Sequence, residues 1–339
     1  MNALKHPIGK LLGGSDLSSD EMQDAMGQIM DAKATDAQIA AFLTALRMKG
    51  ETTEEIAGAV LAMRHRALRM SLDASVILDT CGTGGDGTGT FNISTASAFV
   101  CAASGIAVAK HGNRAVSSSV GSADVLEALG VRIDLDSEAV KRCVDSVGIG
   151  FLFAPTHHSA LRHAAPARRQ IGFRTVLNLL GPMTNPAGAT HQVIGVFAAD
   201  RVRVVAEVLQ HLGSSRALVV HGSDGLDEIT LNGPTFAAIL ENGVVREEVI
   251  DARDWGYETT PASELAGGTA EVNAKIIRDV LTGSAGPHRD IVAVNAGAAL
   301  WLAGKAKSFA DGAKLAEELI DNGHALNSLN ALIHYSQEG

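Results

Sequence analysis

The chain has 339 residues, a length for about two domains and enough to bury a core without covalent staples. With 46% hydrophobic and 19% charged residues it is not a disordered chain, and its 36 glycines follow no G-X-Y period. A net charge of −10 disfavours a general surface for nucleic acid or anionic membrane; three cysteines (Cys81, Cys101, Cys143), none in C-x-x-C spacing, exclude a disulfide framework and a zinc ribbon.

Residues 1–70 read as helices only. Three capping boxes follow one another, Ser18-x-x-Glu21, Thr35-x-x-Gln38 and Thr52-x-x-Glu55, each ahead of apolar residues at helical spacing. From residue 75 short apolar runs alternate with helical stretches. Strands are predicted at Ser75–Leu78, Ile106–Ala109, Gly150–Phe153, His191–Phe197, Arg216–His221 and Glu228–Leu231, and a hairpin at Thr235–Leu240 and Val244–Ile250 around an Asn-Gly turn. Helices are predicted near Ser94–Ser104, Ser122–Leu129, Ser137–Ser146, Ala270–Leu281, Asp290–Leu302, Ser308–Asp321 and His324–Ser336. The fold class is therefore α/β: a small all-helical N-terminal domain (1–72, with a helical contribution from about 163–185) and a larger α/β domain (73–339). Its central sheet is mixed but mostly parallel and is flanked by helices. The N-terminus lacks the apolar core of a signal peptide, and the longest near-apolar run, between Asp290 and Lys305, is too short to span a bilayer. A cytoplasmic protein without membrane or nucleic-acid contact is expected.

Four segments carry chemistry. DTCGTGGDGTGTFNIST (79–95) follows a strand and opens a helix; its five glycines let the backbone turn tightly and aim N–H groups at one spot, with Asn92, Ser94 and Thr95 at the helix start. It contains G-x-G-x-x-G at 82–87, but no acid lies between Asp86 and Asp124 to bind a ribose, which removes the dinucleotide reading. KHGNRAVSSSVGSADVLEALG (110–130) resembles a second phosphate loop, so two anion loops suggest a substrate with two phosphate groups. In HGSDGLDEIT (221–230), Asp224, Asp227 and Glu228 suit one or two Mg²⁺ ions that bridge to phosphate oxygens. In the segment 153–188, His157, His158 and His163 are too irregular for a metal set, whereas Arg168, Arg169 and Arg174 are candidates to clamp a carboxylate. Residues 70–75 and 175–188 are hinge candidates.

Taken in order, GTGGDGTGTFNIST, KHGNRAVSSSVGSADVLEALG, HH…APARRQIGFRT…LGPMTNPAG and DGLDE resemble the anthranilate phosphoribosyltransferases of tryptophan biosynthesis along essentially the whole chain. The resemblance implies transfer of the 5-phosphoribosyl group of 5-phosphoribosyl 1-diphosphate (PRPP) to the amine of anthranilate, with Mg²⁺ as cofactor, in a homodimer formed through the helical domain. It leaves open association with an anthranilate synthase subunit. Carried over by position, PRPP would meet Gly82, Gly85, Asp86, Thr90, Asn92, Ile93, Ser94 and Thr95. It would also meet the loop Lys110, His111, Gly112, Asn113, Arg114, Ala115, Val116, Ser117 and Ser118, with Ser122. Anthranilate would meet Gly82, Asn113 and Arg168, with His111 and His158 beside its approach. The metal would be held by Ser94, Asp227 and Glu228. No residue is assigned as acid or base, since an aniline nitrogen is neutral at pH 7; Arg168, Asn113 and Lys110 position the reactants. Two alternatives share the fold: a pyrimidine nucleoside phosphorylase, which lacks need of the DGLDE acids and of Arg168, and a non-catalytic nucleic-acid-binding relative, which would need a basic groove.

Overall fold

The computed structural model describes residues 3–115 and 120–338. Four helices open the chain: α1 (Lys5–Leu12), α2 (Ser19–Met30), α3 (Asp36–Lys49) and α4 (Thr53–Arg66). All three capping boxes form, with Ser18, Thr35 and Thr52 accepting from the N–H three residues on while Glu21, Gln38 and Glu55 reach back. Glu55 does more than cap. Fully buried, it accepts from Thr52 N, Leu17 N and Lys49 Nζ, so one carboxylate fastens α4 to the end of α3 and the turn before α2.

Beyond these helices seven strands form one sheet in the order β3-β2-β1-β4-β5-β6-β7: β1 (Ile77–Gly82), β2 (Ala107–Gly112), β3 (Ile149–Phe153), β4 (His191–Gly195), β5 (Arg216–Gly222), β6 (Pro234–Glu241) and β7 (Val244–Asp251). Strands β1 to β5 run parallel, and β6 runs antiparallel to both β5 and β7, the β6–β7 pair being the expected hairpin. The sheet is thus mixed and mostly parallel, as the alternation of runs implies.

Helices α5 (Ile93–Ala103), α6 (Ser122–Leu129) and α7 (Ser137–Val147) follow β1 and β2; short helices α8 (Ala154–His157), α9 (Ala165–Ile171) and α10 (Leu177–Leu180) lie between β3 and β4. Helix α11 (Val202–His211) links β4 to β5, and α12 (Ala270–Leu281), α13 (Pro287–Leu302), α14 (Phe309–Asp321) and α15 (His324–Gln337) end the chain. One apolar core lies between the sheet and α5–α7 with α12–α15. A second joins α1–α4, α9, α10 and α11 to the other sheet face, so residues from 164–183 share the helical layer's core.

One sequence reading fails here, and one helix was not predicted. Residues Glu228–Leu231 are not a strand: Asn295 on α13 donates to Ile229 O and accepts from Ile229 N (both 2.9 Å), and Thr235 Oγ1 accepts from Thr230 N, so side chains replace a sheet neighbour. Helix α11 carries no predictive signal at its start, where Arg201 makes no side-chain cap. Among the described residues no helix is long and apolar enough to cross a membrane.

Candidate active site at the switch point of the sheet

Strand β1 has β2 on one side and β4 on the other, and the crossovers from β1 and β4 go to opposite faces of the sheet: α5 belongs to one core and α11 to the other. Chain order reverses there, and the carboxyl ends of the flanking strands open a crevice where open α/β sheets bind ligands. Three of the four motifs converge on it directly: the glycine loop leaves β1, KHGNR leaves β2 and DGLDE follows β5.

The floor is built from two paired glycines. Gly82, last in β1, is registered with Gly195, last in β4, and Thr83 N donates to Gly195 O at 2.8 Å. Asp227 packs on both. A Cβ at Gly195 would overlap the Asp227 carbonyl, and one at Gly82 would overlap Asp227 Oδ2. Asp227 Oδ2 in turn accepts from Gly84 N at 2.8 Å, at a backbone φ of +66° that glycine adopts without strain. The bare strand ends are what let an acid from β5 reach the glycine loop. Gly195 carried no sequence signal, because only the pairing shows its neighbour.

Asp227 and Glu228 lie at the bottom of the cleft, enclosed by protein yet partly reachable by water. Burial raises the pKa of Asp227, and Asp86 raises it further; burial and then Asp227 do the same to Glu228. The Ser94 N–H at the start of α5 faces Glu228 and works against that rise. Lys110, buried near the end of β2, donates from Nζ to Thr80 O at 2.6 Å and to Ser94 Oγ at 3.4 Å. Burial lowers its pKa against the pull of Asp79. Hence Gly82, Ser94, Lys110, Asp227 and Glu228, separated by up to 146 positions, form one polar floor with Asp86 at its rim. Crowded acids facing one ammonium are a donor set short of positive charge. Hard oxygens fit Mg²⁺, which keeps water and phosphate among its ligands; among the described residues no cluster of three His, Cys, Asp or Glu closes around a metal alone.

Strand alternation turns His111, next after Lys110, to the opposite face. It is buried beside His158, ring centroids 5.1 Å apart, facing the Gly181 carbonyl while His158 faces that of Thr184. Desolvation brings the two imidazoles down to about 3 and about 4, so both are neutral. Beneath them Asp79, fully buried, accepts from His111 N at 3.1 Å and from Asn185 Nδ2 at 2.8 Å; Asn185 Nδ2 also reaches Ala109 O. Neither Asp79 nor Asn185 was singled out from sequence.

The other expected residues are placed as follows. Arg114 is turned out of the cleft: its guanidinium pairs with Glu127 and Asp124 of α6. Ile93 puts its side chain in the core and its N–H on Phe91 O, so neither is free for phosphate. Thr95 is buried too, with no hydrogen-bond partner for Oγ1 among the described residues. Thr90 bridges backbone to backbone with Ala266. Ser122 Oγ donates to the carbonyl of Asn113, whose own side chain is exposed and accepts from Arg114 N; Gly112 lies where a Cβ would strike Ser122. Gly85 offers its carbonyl to Arg174, which also lies over the Phe197 ring at 4.3 Å. Ala115 donates its N–H to Asp124. Val116, Ser117 and Ser118 lie outside the described residues. Arg168, half-buried on α9, forms no ion pair among the described residues.

The α/β domain of the glycosyl transferase family matches residues 74–326, and the helical bundle domain of that family matches residues 5–67. The class is therefore a glycosyltransferase that joins a helical bundle to an α/β sheet. The chain is 53% identical to anthranilate phosphoribosyltransferase of Moorella thermoacetica over 97% of each chain. Among solved structures it resembles the Thermus thermophilus enzyme of that name (42% identity, TM-score 0.93, covering 98% of this chain and 99% of that one). It also resembles the Saccharomyces cerevisiae enzyme in complex with PRPP and Mg (29% identity, TM-score 0.91, covering 99% and 98%). The chain belongs to the anthranilate phosphoribosyltransferase family, which sets aside the nucleoside phosphorylase and nucleic-acid-binding alternatives.

Proposed function

We propose that the cleft transfers the 5-phosphoribosyl group of PRPP to the amine of anthranilate, giving N-(5-phosphoribosyl)anthranilate and diphosphate in tryptophan biosynthesis. The observation that carries this reading is the meeting of the glycine loop, Ser94 and Lys110 with Asp227 and Glu228 at the switch point. The C1–O bond to diphosphate breaks, the C1–N bond forms, and the amine gives up one proton to solvent or to the departing diphosphate. Asp227, Glu228 and Ser94 would hold Mg²⁺, which would supply positive charge for the departing diphosphate. Lys110, its Nζ held in place by Thr80 O and Ser94 Oγ, offers a fixed ammonium toward phosphate. The neutral amine needs no strong base, so the chain's contribution is orientation and charge. Arg168, lacking a carboxylate of its own, holds that of anthranilate, beside the apolar and neutral surface of His111 and His158.

The proposal extends to organisation. The division at 72/73, with 163–185 joined to the helical part, is supported by the packing of Ala164, Ala167 and apolar residues of 176–183 into the core of α1–α4. Leu12 and Met48, 73% and 82% exposed on α1 and α3, are apolar surface for a homodimer through the helical layer. Light scattering of the purified chain would give twice 35.1 kDa. The location we infer is the cytoplasm.

Anthranilate fluorescence tests the reaction. A loss that requires enzyme, PRPP and Mg²⁺ together supports it. No loss in a folded sample that still binds PRPP would overturn anthranilate as the acceptor.

A further inference from the structure

The helix α12 and the turn before it lie outside every motif that pointed to the site, yet they are fastened to it. Phe91 N donates to Leu265 O at 3.2 Å and Gly267 N to Gly89 O at 2.9 Å, so residues 265–267 run antiparallel along the end of the glycine loop. Gly267 allows this approach: a Cβ there would lie 2.9 Å from Phe91 N and 2.7 Å from Asn273 Oδ1.

Asn273 is 1% exposed near the start of α12, and its side chain bonds both to the turn before that helix and across to the site. Its Oδ1 accepts from Gly268 N at 2.7 Å, and its Nδ2 donates to Asn92 Oδ1 at 3.0 Å. Asn92 Nδ2 then donates to Val120 O at 3.2 Å. The direction of this chain is fixed at both ends. A backbone N–H can only donate and a carbonyl only accept, so neither amide can flip without breaking two bonds. Among the described residues the relay also leaves one N–H of the Asn92 amide uncommitted, since that amide has two and Val120 takes one. Asn92 sits at the start of α5, where it makes no side-chain cap of its own.

We propose that Asn273 is a positioning residue for PRPP. It holds the Asn92 amide in the single orientation that presents a free N–H to a phosphate oxygen, and it ties the glycine loop to the return of the KHGNR loop at Val120. This rests on the assignment of Asn92 to PRPP binding. A buried amide network of this kind acts as a unit, so removing its middle member disorients its far end.

The test is steady-state kinetics of Asn273→Ala and Asn273→Asp at saturating Mg²⁺, each in the wild-type and the Asn92→Ala background, with thermal melts of every variant. Asn273→Asp keeps an acceptor for Gly268 N–H but sets a carboxylate against Asn92 Oδ1. Either variant is expected to raise the KM for PRPP about tenfold, the scale of a lost buried hydrogen bond, with the KM for anthranilate unchanged. In the Asn92→Ala background the same substitution should add nothing to the KM for PRPP, because its target is gone. Equal rises in both KM values, unchanged values, or full additivity with Asn92→Ala would overturn the proposal. Failure of both variants and of Asn273→Ser to fold would assign Asn273 to stability and overturn it too. Wild-type protein that binds no PRPP by calorimetry fails the assignment of the site itself, a result distinct from these.

Discussion

Lys110 and His111 are neighbours on β2 and belong to different halves of the cleft. Lys110 faces α5 and the acids, where strand ends, a helix start and buried charge set every position through the sheet. His111 faces the segment 154–185, where short helices and the turns between them, carried by the helical layer, supply His158, Arg168 and Arg174. The half proposed to bind phosphate is made of groups whose placement the sheet fixes by register. The half proposed to bind the acceptor rests on a connection that shares the helical layer's core and meets the glycine loop through Arg174 and Gly85. Strong charge is built into the rigid half; the other offers shape and the Arg168 guanidinium, which forms no ion pair among the described residues. An enzyme that must hold a multiply charged donor and then admit a flat aromatic acceptor is served by that division.

The comparison breaks first at the paired glycines. Gly195→Ala puts a methyl into the Asp227 carbonyl and should lower kcat/KM at least about a thousandfold, beyond what loss of one site donor costs. Wild-type turnover in a folded Gly195→Ala sample would remove Asp227 from the floor. Next, Arg168→Ala should raise the KM for anthranilate roughly tenfold to a hundredfold, as loss of a charge-assisted pair does, and leave that for PRPP alone. The two neutral histidines sharpen the contrast through pH. Their folded pKa values lie below the ordinary 6.5, so the unfolded chain binds more protons between that value and about 3 to 4. Stability contributed by keeping them neutral is therefore full above pH 6.5 and lost as pH falls through this window. His158→Asn should flatten the acid limb of the melting curve; an unchanged limb would show that His158 takes up its proton without strain. The smallest effect belongs to the helical layer's frame. Thr35→Ala should cost about 1 kcal/mol in denaturant unfolding without altering either KM.

Much of the rigid half was legible in the chain. Glycine spacing, hydroxyls at the start of α5 and the acids after β5 are local patterns with local physical causes, as are the capping boxes. What escaped reading depends on groups far apart in sequence. Gly195 gains meaning only from its pairing with Gly82, and Asn273 from its bond to Asn92, 181 positions away. Residues 228–231 have a strand's composition, but Asn295 serves their backbone. Arg114 belongs to a loop that invites phosphate, yet two acids one and two turns into α6 hold it. Helix α11 starts on Arg201 without a side-chain cap, so its beginning left no mark.

The separation of the two halves is tested most directly by calorimetric titration of PRPP, with Mg²⁺, into wild-type protein and Arg168→Ala. The account predicts the same Kd for both, alongside a loss of anthranilate turnover in the variant at subsaturating acceptor. A Kd for PRPP weakened in Arg168→Ala as much as turnover falls would contradict it, and would place Arg168 in the phosphate half.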